Sequence, residues 1–195
     1  MSPPTTALGY TAVAKALHWL IAFAIVGQIL LAWYMGSLAD HSPARDAIMP
    51  FHISIGLTIL LLSLTRLAWR LTHKPPPLPA GLPLWERTLA RISHVLFYIL
   101  MLGIPVLGWL LVSTHTHGSA FGFWGAHVWP SLPGTANLSK AAAHQIGETV
   151  EPIHGGLLIW AMIAVWALHV AGALKHQFDG NPVLYRMVPF LKPPA

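Results

Sequence analysis

The sequence contains no cysteine, and only 9% of its 195 residues are charged, just six of them acidic. The first absence excludes disulfides, cysteine-ligated iron–sulfur clusters and covalent attachment of a prosthetic group through a C-x-x-C-H motif. Any bound group must then be held by other side chains. The second absence excludes an ordinary soluble domain, in which about a quarter of residues are charged. The chain is instead 55% hydrophobic with a positive mean hydropathy, as expected of a membrane protein.

Four apolar runs are long enough for the roughly 20 helical residues that a bilayer crossing needs. They cover about 16–35, 51–71, 92–112 and 153–174. The fold class expected is therefore all-α, an integral membrane four-helix bundle forming one domain over residues 1–195. The first run imitates a signal peptide, with Lys15 before it and "SLA" after it, but it is too long and contains His18. Lys15, Arg66, Arg70, Lys74, Arg87, Arg91, Lys175, Arg186 and Lys192 lie at one side, against Arg45 and Lys140 at the other. This asymmetry places both termini in the cytoplasm and accounts for the net charge of +5, with no basic stripe suited to nucleic acid.

Between the runs, "MGSLADHSP" ends the first helix, and a short external loop to Pro50 leads into the second. The segment "PPPLPAGLP" reads as a stiff cytoplasmic spacer, and Pro105 in "GIPVLGW" as a kink in the third helix. Residues 113–151 form one long external loop, in which "NLSKAAAHQIGETV" suits a short surface helix.

Histidine is abundant, at twelve residues. An imidazole inside a span is costly unless its nitrogens find partners, so such residues usually face a bundle interior and serve a function. His18 sits at the cytoplasmic start of helix one and His169 at the cytoplasmic end of helix four. His52 and His154 sit at the external starts of helices two and four. One pair thus falls at each of two depths. The fifteen steps from His154 to His169 separate the depths by roughly 22 Å and leave the side chains roughly 60° apart around the helix. Opposed imidazoles at two depths are the arrangement that two stacked six-coordinate haems require. Arg66 and Arg70 follow His52 by fourteen and eighteen residues, within roughly 40° of its face, where they could neutralise the propionates of the inner haem. Gly56, one turn after His52, would let a macrocycle approach the helix.

The chain resembles the bacterial cytochrome b561 family over nearly its whole length. The matching stretches are "LHWL" (17–20), "FHISIG" (51–56), "RLAWR" (66–70), "PPPLP" (75–79), "HVLFYILMLGIPVLGW" (94–109), "HVAGALKHQF" (169–178) and "DGNPVLYRMVP" (179–189). The resemblance implies four helices in the bacterial inner membrane, two non-covalent bis-histidine haems b, and electron transfer with quinone. It assigns His18 and His169 to the inner haem and His52 and His154 to the outer one. The family places fourteen steps between the two histidines of the last helix. Here there are fifteen, with Gly155 at the expected position, so His154 must be brought into line by local adjustment of the helix around Pro152, Gly155 and Gly156.

His94 and His176 also match family positions, near the cytoplasmic face, where they could bind a propionate, assist proton exchange with a quinone or lie at the interface. His115, His117, His127 and His144 belong to the external loop, and only the His144-x-x-x-Glu148 spacing suggests a metal there. The expected function is electron transfer between the quinone pool and a periplasmic donor or acceptor, with superoxide or a small redox protein as candidates. The alternatives are a membrane-anchor cytochrome subunit of a hydrogenase-like or dehydrogenase-like complex, and a haem-free histidine-lined metal transporter.

Overall fold

The computed structural model describes residues 9–78, 82–180 and 183–191. The alanine of the proline-rich spacer, Ala80, and its neighbours 79 and 81, two residues of the C-terminal motif at 181 and 182, and Lys192 lie outside them. Four helical rods long and apolar enough to cross a membrane make up the bundle. They are α1 (Ala12–Gly36), α2 (Pro43–Thr72), α3 (Leu84–His115), and a fourth rod in which α4 (Lys140–Pro152) runs through one π turn (Ile153–Leu157) into α5 (Leu158–Phe178). Helix α1 packs along α2, α2 along α3, and α3 along α5.

Helices α1, α2 and α4 begin where the sequence offers a side chain to their free N–H groups, whereas α3 starts after Pro83 with no side-chain cap. Thr11 accepts from the Ala14 N–H, Ser42 from Arg45 and Ser139 from Ala142. Ser42 is followed by Pro43, whose fixed φ suits the first helical position. That cap corrects one expectation. The second helix starts at Pro43, not after a loop to Pro50, and Pro50 lies inside it. The apolar run marks only the lipid-embedded part of a longer rod. Likewise α3 passes through Pro105 and extends to His115.

Residues 113–151 are also more ordered than a plain loop. Phe121–Phe123 (β1) and Ala126–Trp129 (β2) form an antiparallel hairpin, and the expected surface helix is α4, continuous with the fourth span. The hairpin turns on Trp124 and Gly125, both with positive φ, at 48° and 86°. A two-residue turn of this kind needs positive φ at both positions, which suits glycine and strains tryptophan. The strain is held by helix α2: the Trp124 N–H donates to Ser54 Oγ at 2.9 Å, and its indole Nε1 donates to Thr58 Oγ1 at 3.1 Å.

The core lies midway along the bundle, where Ile21, Leu100, Met101, Met162 and Val165 are buried together. Many other large apolar side chains, Phe23, Ile99 and Trp160 among them, are exposed on the outside, where lipid is the solvent. At the end that carries both termini, the C-terminal segment closes the bundle. Trp19 Nε1 donates to the Met187 carbonyl at 3.0 Å, and Arg186 Nη1 to the Pro77 carbonyl at 2.6 Å.

Because Ser54 is buried and its hydroxyl is the acceptor for the Trp124 N–H, Ser54→Ala leaves that donor unpaired. The expected cost is about 1–3 kcal/mol, seen as a lower Tm in detergent; an unchanged Tm would show that the hairpin is not held through Ser54.

Candidate functional site

Two histidine pairs face each other across the bundle. On the side of the termini, His18 of α1 and His169 of α5 have ring centres 6.3 Å apart, with their planes at 53°. On the hairpin side, His52 of α2 and His154 of the π turn also have ring centres 6.3 Å apart, at 82°. The apolar core described above separates the two levels.

His154 reaches its position through the π turn. The N–H of Leu158 bonds to the carbonyl of Ile153, five residues back, so the turn contains one residue more than an α-helical turn. Its cause lies in the sequence. Pro152 has no N–H to bond one turn back, and Gly155 and Gly156 hold the α conformation weakly. With one residue absorbed, the fifteen steps to His169 act as about fourteen α-helical steps, and the two rings differ by about 40° around the rod.

Helix α3 fixes the His154 ring from the other side. His154 Nδ1 lies 2.9 Å from the Ile104 carbonyl, which can only accept, so Nδ1 carries the proton and Nε2 has the free lone pair. Gly108 makes the approach possible, because a Cβ there would lie 2.9 Å from His154 Cε1. On the opposite side, Gln28 Nε2 donates to the His52 carbonyl at 2.8 Å. At Gly56, the nearest atom to a built Cβ is Gln28 Nε2 at 3.4 Å. Gln28, His52, Gly56, Ile104, Pro105 and His154 line one cleft between the helices.

At the other level, Arg66 Nη1 lies 2.9 Å from His18 Nδ1, which places a guanidinium beside the ring pair. Arg70 is one turn further on and leans on helix α3, its Cζ 5.9 Å from the Tyr98 ring centre. His94 joins this level, its ring centre 5.5 Å from that of His169, while its Nδ1 donates to the Ala90 carbonyl. His176 lies a little beyond, with Nδ1 3.6 Å from buried Glu86, whose other oxygen accepts from Lys175 at 2.9 Å. Of the four histidines expected in the external loop, His115 ends α3 and His144 lies on α4, with His117 and His127 between, and among the described residues no group of three metal-ligating side chains comes together.

Gln28, Gly108 and Glu86 were not among the site residues expected from the sequence. A polar residue within an apolar run is a usable signal, whereas a glycine in a span reveals its purpose only once its neighbour is known.

The family model described as prokaryotic cytochrome b561 matches residues 9–190. The chain belongs to that family. It is 30% identical over 190 residues to cytochrome b561 homolog 2 of Escherichia coli K12, covering 96% of this chain and 95% of the relative. It is 26% identical over 180 residues to cytochrome b561 homolog 1 of the same organism, covering 89% and 93%. A protein of Yersinia pestis named probable superoxide oxidase CybB is 27% identical over 188 residues, covering 92% and 96%. The chain is thus a multi-pass bacterial membrane protein of a haem b family.

The ring pairs fit that cofactor. With metal–nitrogen bonds of about 2 Å on each side, and each ring centre about 1 Å behind its nitrogen, two axial imidazoles need centres about 6 Å apart. Both pairs show 6.3 Å.

Gly108→Ala puts a methyl group against the His154 ring and is expected to destabilise the protein by about 1–3 kcal/mol. Gly103→Ala, where a Cβ meets nothing within 4 Å, is the control and should be neutral or mildly stabilising. Equal Tm values for the two variants in detergent would contradict this reading of Gly108.

Proposed function

We propose that the chain is one functional unit that binds two haems b and transfers electrons between membrane quinone and a donor or acceptor outside the cell membrane. The observation that carries this reading is the repeated 6.3 Å separation of two opposed histidine pairs on opposite sides of the core. His18 and His169 hold one haem, and His52 and His154 the other. Haem b bound in this way supplies one-electron redox chemistry. Two histidine ligands per iron leave no open position there for dioxygen or substrate, which restricts the reading to electron relay.

The chain's own groups orient and balance these ligands. The Ile104 carbonyl accepts a hydrogen bond from His154 Nδ1–H, leaving Nε2 for iron. Arg66 at His18 is placed to neutralise a propionate. A guanidinium only donates, so ligation through His18 Nε2 requires Arg66 to release Nδ1, and a propionate gives it a stronger, charged partner. Arg70 supports the positive charge one turn away, and Gly56 keeps the wall of the other site low.

The end of the bundle that carries the termini also carries Lys15, Arg66, Arg70, Lys74, Arg87, Arg91, Lys175 and Arg186, which favours a cytoplasmic location for it. His94 and His176 lie at that end, and Glu86 beside His176 makes a proton-exchanging pair suited to a quinone whose reduction takes up protons. The hairpin side then faces the periplasm. The name of the Yersinia pestis relative makes superoxide the first external substrate to test.

The test is a reduced-minus-oxidised spectrum with a pyridine haemochrome count. Two haems b per chain are expected, falling to one in His52→Ala and His154→Ala, with the remaining haem lost from His18→Ala and His169→Ala instead. Quinol or superoxide should reduce the purified protein. A colourless protein, or one haem that survives all four substitutions, would overturn the reading.

A further inference from the structure

Among the described residues, few buried polar side-chain atoms have no partner, and two of them line the same cleft: His52 Nδ1 and Gln28 Oε1. The two residues already touch, since Gln28 Nε2 donates to the His52 backbone carbonyl at 2.8 Å. That bond fixes the orientation of the amide. A carbonyl accepts only, so the NH2 group must face it, and Oε1 is left as an acceptor with nothing to accept.

The two halves of this histidine pair therefore differ. His154 Nδ1–H donates to the Ile104 carbonyl, whereas His52 Nδ1 has no such partner. A histidine that gives Nε2 to a metal carries its proton on Nδ1, and that proton seeks an acceptor that fixes the ring and raises its basicity. The unused acceptor beside His52 is Gln28 Oε1.

We propose that Gln28 is a positioning residue for His52: anchored by its NH2 group to the His52 carbonyl, it would turn Oε1 to accept a hydrogen bond from His52 Nδ1–H, a bond not formed in this structure, and thereby set the redox potential of the haem that His52 would hold. This rests on the two-haem reading above. Gly56, one turn after His52, lines the same cleft, and a Cβ there would meet the Gln28 amide at 3.4 Å, an ordinary contact. A half-buried glutamine with an unpartnered oxygen in an apolar helix would otherwise be a plain cost.

The test uses full-length protein carrying Gln28→Leu, which removes the acceptor, or Gln28→Glu, which retains an acceptor oxygen in a side chain of similar size. Optical redox titration resolves the two haems, and low-temperature EPR reports the ligand field of each. In Gln28→Leu the His52 haem should become easier to reduce. Its ferric-to-ferrous ratio at fixed ambient potential should fall about tenfold, about 59 mV for a one-electron couple. Gln28→Glu should hold the native potential or lower it, and the haem at His18 and His169 should not move. Loss of the His52 haem in Gln28→Leu with its retention in Gln28→Glu would have the same meaning. No shift in Gln28→Leu, equal shifts in both variants, or loss of the haem in both would overturn the role of Gln28. Failure of the two-haem reading itself would appear earlier, as fewer than two haems in the unmutated protein.

Discussion

The rest of the structure depends on the facing of imidazoles across an apolar interior at one fixed separation. A ring nitrogen in hydrocarbon has no water to bond, so each histidine must be aimed at a partner and held there. The two pairs meet this demand at the same 6.3 Å, although they are built from different parts of the chain. His18 and His169 stand on regular helices. His52 stands on a regular helix too, but His154 stands on a π turn.

Much of the local architecture serves that aim. The core layer of Ile21, Leu100, Met101, Met162 and Val165 sits between the levels and fixes the helices against each other. Helix α3 supplies no member of either facing pair, yet it sets both levels: Gly108 and the Ile104 carbonyl locate His154, while His94 and Phe97 pack on His169. The hairpin pins helix α2 at Ser54 and Thr58, close after His52. At the opposite end the C-terminal segment bonds Trp19, the neighbour of His18. Each histidine level thus has a strap of irregular chain beside it.

The four spans and the two depths were legible in the sequence because both follow from hydrophobic run length and helical rise, which need no tertiary knowledge. The exact helix starts were not. Pro50 looked like a boundary, while Ser42 and Pro43 hold the real cap in a stretch too polar to belong to the apolar run. The departure from the fourteen steps that the family resemblance implies pointed to adjustment of the last helix near Pro152, Gly155 and Gly156, and the π turn lies there. What could not be read were contacts between distant residues. The Ile104 carbonyl behind His154, Gly108 under its ring, and Glu86 between Lys175 and His176 join positions that no local pattern links. The order within residues 113–151 was hidden as well, since a tryptophan at a positive-φ turn carries none of the usual Asn-Gly signal.

The most direct measurement is the haem content and EPR spectrum of a variant lacking Gly155. Removing one residue from the π turn restores the regular α-helical spacing of fourteen steps between His154 and His169. If the two histidine pairs hold haem as proposed, and the turn exists to absorb that residue and bring His154 opposite His52, the shortened protein should contain two haems, each with a bis-histidine spectrum. Loss of the haem at His52 while the other remains would contradict the account, because it would show that the site needs something from the π turn other than the register it restores.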